Sequence, residues 1–96
     1  MRELLTRAGV PSGAALRGRE LAAAVVVTGA DGYTVAFGIG EFDVGFTDRV
    51  TILADRRDGA ALGGNEGPFQ LIVPGEKRPA RWVRQVASIE VRNLAR

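Results

Sequence analysis

The chain contains no cysteine and no histidine. The first absence excludes disulfides, thiolate metal ligands and thiol nucleophiles; the second excludes imidazole ligands and the Ser-His and Cys-His pairs on which many hydrolases depend. No apolar run reaches the roughly 18 residues that a membrane-crossing helix needs, the longest running from Leu21 to Val27. Met1 is followed by Arg2 and Glu3 rather than by a signal-peptide hydrophobic stretch. A cytoplasmic setting without membrane partners is therefore expected for the chain as it stands.

What is present is 96 residues, 46% of them hydrophobic, with 13 glycines and a net charge of +2. That length suits one domain, residues 1–96, able to bury roughly 60–65% of its unfolded surface around a single core. The sequence pI near 9.9 raises nucleic acid as a partner, but position decides the matter. Residues 1–30 carry a net +2, residues 31–66 a net −4 and residues 67–96 a net +4. A chain divided in this way, with one aromatic residue in its basic segment, is not expected to bind nucleic acid.

Apolar residues at 4, 5 and 8 form the stripe of a two-turn amphipathic helix, and Gly9 falls where a left-handed cap would end it. Val10 to Gly13 reads as a turn cluster around Pro11. The run Ala22 to Thr28 is short and β-branched. The Ala30-Asp31-Gly32 turn separates it from Tyr33 to Ile39, in which residues 33, 35, 37 and 39 alternate with small ones. This predicts a β-hairpin with one packed face. A helical turn at 40–43, a third strand at 50–54, a turn at 55–59 and an exposed glycine-rich loop at 60–68 follow. The chain ends with a strand at 69–73 stopped by Pro74-Gly75, a basic connection at 76–84 and a final alternating strand at 86–91.

Few motifs carry chemistry. Residues 55–66 have the length of a calcium loop, but Arg57 and Gly59 stand where oxygen donors belong and Ala60 replaces the required glycine. The glycines at 38 and 40, and at 63, 64 and 67, lack the Gly-Lys-Ser/Thr of a phosphate loop. The pairs Asp55/Asp58 and Glu41/Asp43 read as solvated surface rather than as acid-base catalysts. Lys77 to Arg84 stands apart, with four cations, no anion and one tryptophan in eight residues. If residues 80–84 form a helical turn, Arg78, Arg81 and Arg84 project from one side and converge on a phosphate; the competing reading is a solvated charged face. Trp82 and Tyr33 read first as packing residues.

The strings Gly29-Ala30-Asp31-Gly32-Tyr33, Leu53-Ala54-Asp55 with Asp58-Gly59-Ala60-Ala61-Leu62, Glu66 to Gly75 (EGPFQLIVPG) and Arg81 to Val91 (RWVRQVASIEV) occur in that order. Together they resemble the C-terminal half of the molybdopterin-binding domain of the sulfite oxidase family, and Glu3 to Pro11 is similar to a helix of that half. The resemblance implies pterin-phosphate contacts from Arg81 and Arg84, more loosely from Lys77 and Arg78, and an active-site position for Tyr33. Arg84 replaces the usual lysine and Gln85 the usual tryptophan. The cysteine that anchors molybdenum in the family lies upstream of the matched helix and has no counterpart in this chain, which on this reading lacks the N-terminal portion of the domain. No metal-ligating or catalytic residue is therefore expected.

The expected fold is α+β: one twisted, mainly antiparallel sheet of about five short strands with a short N-terminal helix, like a truncated sulfite-oxidase molybdopterin domain. The resemblance implies a non-catalytic relative keeping a residual pterin-phosphate or anion site at Arg78, Arg81 and Arg84, with molybdopterin as the cofactor in view. Two alternatives stand beside it: an interaction or self-associating module, a homodimer in its simplest form, whose pocket is vestigial, and one half of a split molybdenum oxidoreductase.

Overall fold

The computed structural model describes residues 1–10, 13, 18–43, 45–57 and 59–94. Pro11 and Ser12 of the expected turn, and Asp58 of the expected carboxylate pair, lie outside the described residues. The fold is a small α+β arrangement in which every strand pair is antiparallel.

Helix α1 (Arg2–Arg7) opens the chain. It ends as its sequence predicts: Gly9 takes φ +88°, its N–H donates to Thr6 O at 3.0 Å, and the Val10 N–H donates to Leu5 O at 3.0 Å. These two bonds satisfy carbonyls that the helix end leaves unpaired. Of the apolar stripe only Leu5 is buried; Leu4 and Ala8 face solvent.

After a 3-10 turn (Gly18–Ala22), strands β1 (Ala23–Gly29) and β2 (Thr34–Gly38) form the expected hairpin. The connection closes through Gly32 N–H to Gly29 O at 3.0 Å and Gly29 N–H to Tyr33 O at 2.8 Å. The left-handed residue such a loop demands is Gly32, at φ +87°. Asp31 holds the turn, accepting the Tyr33 N–H at 3.0 Å through Oδ1. The inward face carries Val25, Val27, Phe37 and Ile39, all buried, whereas Tyr33 is exposed. Ile39 leaves the strand and begins a 3-10 turn (Ile39–Phe42) near the expected helical turn.

The remaining strands correct the expectation of one five-stranded sheet. Among the described residues seven strands form three sheets: β2-β1-β7, β3-β6 and β4-β5. Strand β3 (Ile52–Ala54) pairs with β6 (Gln70–Ile72) instead of joining the hairpin. Strands β4 (Arg56–Arg57) and β5 (Ala60–Ala61) pair across residues read as turn and loop. Strand β7 (Val86–Asn93) runs two residues past its expected end and covers the far side of β1, with a register shift at Thr28/Gly29.

One core joins the pieces. Leu5, Val25, Val27, Phe37, Ile39, Phe42, Leu71, Val73 and Val83 are buried together, so neither the three-stranded sheet nor the β3-β6 ribbon has an interior of its own.

Candidate functional site

The basic segment does not form the continuous helical face on which a convergent arginine cluster depends. Its 3-10 turn covers Pro79–Arg81 and stops at Trp82, so Arg84 falls beyond it. Arg78, exposed, precedes the turn in extended conformation.

Arg81 turns inward to two carboxylates. Its Nε and Nη2 donate to Glu76 Oε1 and Oε2 at 3.1 and 2.5 Å, and Nη2 also donates to Glu41 Oε1 at 2.9 Å. The guanidinium carbon lies 4.3 Å from the centroid of the Phe37 ring, which itself packs against Phe42 at 5.1 Å. The other Glu41 oxygen accepts the Gly38 N–H at 2.8 Å. Hydrogen bonding from Arg81 holds the Glu76 carboxyl below its usual range. The bonds to Glu76 and then Glu41 push the Arg81 pKa up. The arrangement fastens the basic connection to the β2 end of the hairpin. A cavity of about 360 Å³ beside it has Glu41, Arg49 and Arg81 on its wall.

Arg84 and Tyr33 meet elsewhere, in a separate cleft of about 380 Å³ that Asp31, Asn65, Trp82 and Gln85 also line. The hairpin turn supplies Asp31 and Tyr33. The Tyr33 hydroxyl donates to Ala80 O at 2.6 Å and so fixes the position of the 3-10 turn. Trp82 donates its indole N–H to Val73 O at 2.9 Å, anchoring the opposite side.

Gln85 sits at φ +49°, the one positive φ outside glycine among the described residues. For a residue with a Cβ this conformation is unfavourable, and the neighbouring structure has to hold it. It does so with three hydrogen bonds: Gln85 N–H to Glu66 O at 2.9 Å, Ala30 N–H to Gln85 O at 2.9 Å, and Gln85 Nε2 to Gly64 O at 2.6 Å. The floor is tight as well. A Cβ on Gly29 would stand 2.7 Å from the Arg84 carbonyl oxygen, so the backbone that carries Arg84 can lie there only because residue 29 is glycine.

Of the four residues singled out from sequence, the structure brings Tyr33 and Arg84 to one cleft, gives Arg81 to a carboxylate pair, and leaves Arg78 on the surface before the turn. Sequence reasoning missed Asp31, Asn65 and Gln85 as lining residues, and Glu41 and Glu76 as partners of Arg81. Asp31 had a signal in its Asp-Gly turn; the rest meet through the fold. The Glu41/Asp43 pair also differs from expectation: Asp43 is buried, its carboxylate accepting the Gly13 and Gly45 N–H groups at 2.9 Å each.

No family model, curated protein or solved structure matches this chain. Among the described residues no group of three or more acidic side chains is placed to hold a metal ion, and no helix is long and apolar enough to cross a membrane. The molybdenum centre of the family that the chain resembles does not fit the donors present, because the chain offers no thiolate. The organic part of that cofactor is a different matter, since the cleft combines one guanidinium, one carboxylate, two amides and two aromatic rings.

Proposed function

We propose that this chain is a non-catalytic binding domain of the sulfite-oxidase molybdopterin-domain type, which holds a flat, phosphate-bearing heterocycle such as a pterin in the cleft between Tyr33 and Arg84. The observation that carries this reading is that Tyr33 and Arg84, to both of which the resemblance gives a place beside the cofactor, line one polar cleft. Arg84 supplies the charge and the planar pair of donors that suit a phosphate. Asp31 accepts N–H groups of the kind a pterin ring edge presents, and the Asn65 and Gln85 amides offer both donors and acceptors. Trp82 and Tyr33 supply aromatic surface for a planar ring. Arg81, engaged by Glu41 and Glu76, serves to position the segment and is not assigned to the ligand. No reaction step is assigned to any residue.

The test uses the single tryptophan of the chain, which lines the cleft. Titration with a phosphorylated pterin is expected to change Trp82 fluorescence saturably. Arg84→Ala is expected to weaken binding about tenfold or more, the loss of a charge-assisted contact, while Arg78→Ala leaves it within about twofold. Absence of saturable binding, or wild-type affinity in Arg84→Ala, refutes the assignment.

A further inference from the structure

Strand β7 closes one side of β1, and among the described residues it has no other paired strand. Its backbone orientation can be read from the bonds around it. Leu94 donates to Ala22 O at 3.0 Å, so in this register the even-numbered residues of the regular ladder turn their N–H and C=O groups toward β1. Ile89 and Val91 therefore present theirs at the open edge. The start of the same edge is closed, because Val86 N–H donates to Phe69 O at 2.9 Å.

Side chains divide the other way. Val91 and Ile89 lie opposite the buried Val25 and Val27 and so share the core face, and Glu90 and Arg92 lie on the outer face. On that outer face Arg92 Nε donates to Glu90 Oε1 at 2.8 Å, and both side chains are exposed. On the core face Val91 remains 39% exposed. A groove of about 390 Å³ opens beside it, lined by Val10, Ala23, Ile39, Ile89 and Val91 among others.

We infer that β7 pairs with β7 of a second copy of this chain, antiparallel and centred on Val91, joining two three-stranded sheets into one of six strands. The register follows from the charges. Centring on Val91 makes Val91 and its counterpart a hydrogen-bonded pair and sets each Glu90 opposite the other copy's Arg92, a favourable cross-strand contact formed twice. Centring one residue earlier puts Glu90 against Glu90, and one residue later puts Arg92 against Arg92. Like charges directly opposed destabilise both arrangements. Moving further toward the start of the strand brings the second copy against the Phe69 segment that already occupies that edge. In the Val91 register the two exposed valines meet beside the apolar groove, so the same contact covers apolar surface on one face and sets opposite charges against each other on the other. An open edge of this kind is a pairing template unless something occupies it.

The inference is independent of the ligand cleft and is tested by a charge exchange. Sedimentation of the wild-type chain is expected to show a concentration-dependent doubling of its 10.2 kDa mass. Arg92→Glu and Glu90→Arg, each alone, oppose like charges in this register and are expected to raise the dimer dissociation constant about tenfold or more. An equimolar mixture of the two variants restores complementary pairs and is expected to associate with near wild-type strength. Both substitutions are at exposed positions, and circular dichroism verifies that each variant folds. A second variant, Val91→Pro, removes an amide that points away from β1 and is expected to abolish association while the monomer stays folded. A wild-type monomer at every concentration overturns the inference, and so does a variant mixture that fails to associate.

Discussion

Arg81→Ala tests a side chain that holds two carboxylates and an aromatic ring at once. The mutation removes the two-point bond to Glu76, the bond to Glu41 and the contact of the guanidinium with the Phe37 ring. Relative exposures of 27% for Arg81 and 20% for Glu76 place their bond in a partly screened setting, worth about 1–1.5 kcal/mol. Glu41, at 43%, is more open and adds about 0.5 kcal/mol. The stacking on Phe37 contributes about 0.5–1 kcal/mol. The expected loss is then about 2–3 kcal/mol near neutral pH, read from urea unfolding at constant slope.

The pH dependence separates these contributions. Arg81 depresses the Glu76 pKa from an ordinary value of 4.5. The ion pair therefore stabilises the fold fully above that value, and its contribution disappears as pH falls through the lowered folded-state pKa. In acid, as Glu76 is protonated, the difference between wild type and Arg81→Ala is expected to shrink. A loss below about 0.5 kcal/mol at neutral pH, or one that does not change with acid, refutes the reasoning.

Two further substitutions probe the surroundings of the cleft. Gly29→Ala drives a Cβ to within 2.7 Å of the Arg84 carbonyl oxygen; a destabilisation of about 1–3 kcal/mol is expected, with weaker ligand binding because Arg84 must move. Unchanged melting and unchanged titration would show that the approach is not tight. Asp43→Ala leaves the Gly13 and Gly45 amides without their acceptor and is expected to cost about 2 kcal/mol in urea unfolding; a cost within the error of the measurement refutes a structural role for the carboxylate.

Local pattern made some of this fold legible. The β1–β2 hairpin follows from alternation and an Asp-Gly turn, the end of α1 from Gly9, and the body of β7 from its own alternation. Pairing between distant strands was not legible, because β3 and β6 each offer only three residues and nothing in so short a run names its neighbour. The Arg56–Arg57 and Ala60–Ala61 pair lacks the β-branched and aromatic residues that usually mark strands. The candidate site divides in the same way. Arginines three apart suggested one shared face, but a turn that ends at Arg81 sends Arg81 and Arg84 to different neighbours. Of the two partners that hold the first, Glu41 is 40 positions away. Gln85 at positive φ carries no sequence signal, since glycine is the residue expected there.

The chain entering β7 is held along the β6 side by three main-chain bonds: Leu71 N–H to Val83 O, Gln85 N–H to Glu66 O and Val86 N–H to Phe69 O, each 2.9 Å long. Peeling β7 away from β1 thus pulls on β6 at the same moment, and through β6 on β3. Such stitching couples β7, β6 and β3, so these strands are expected to open together, which hydrogen exchange of their amides checks.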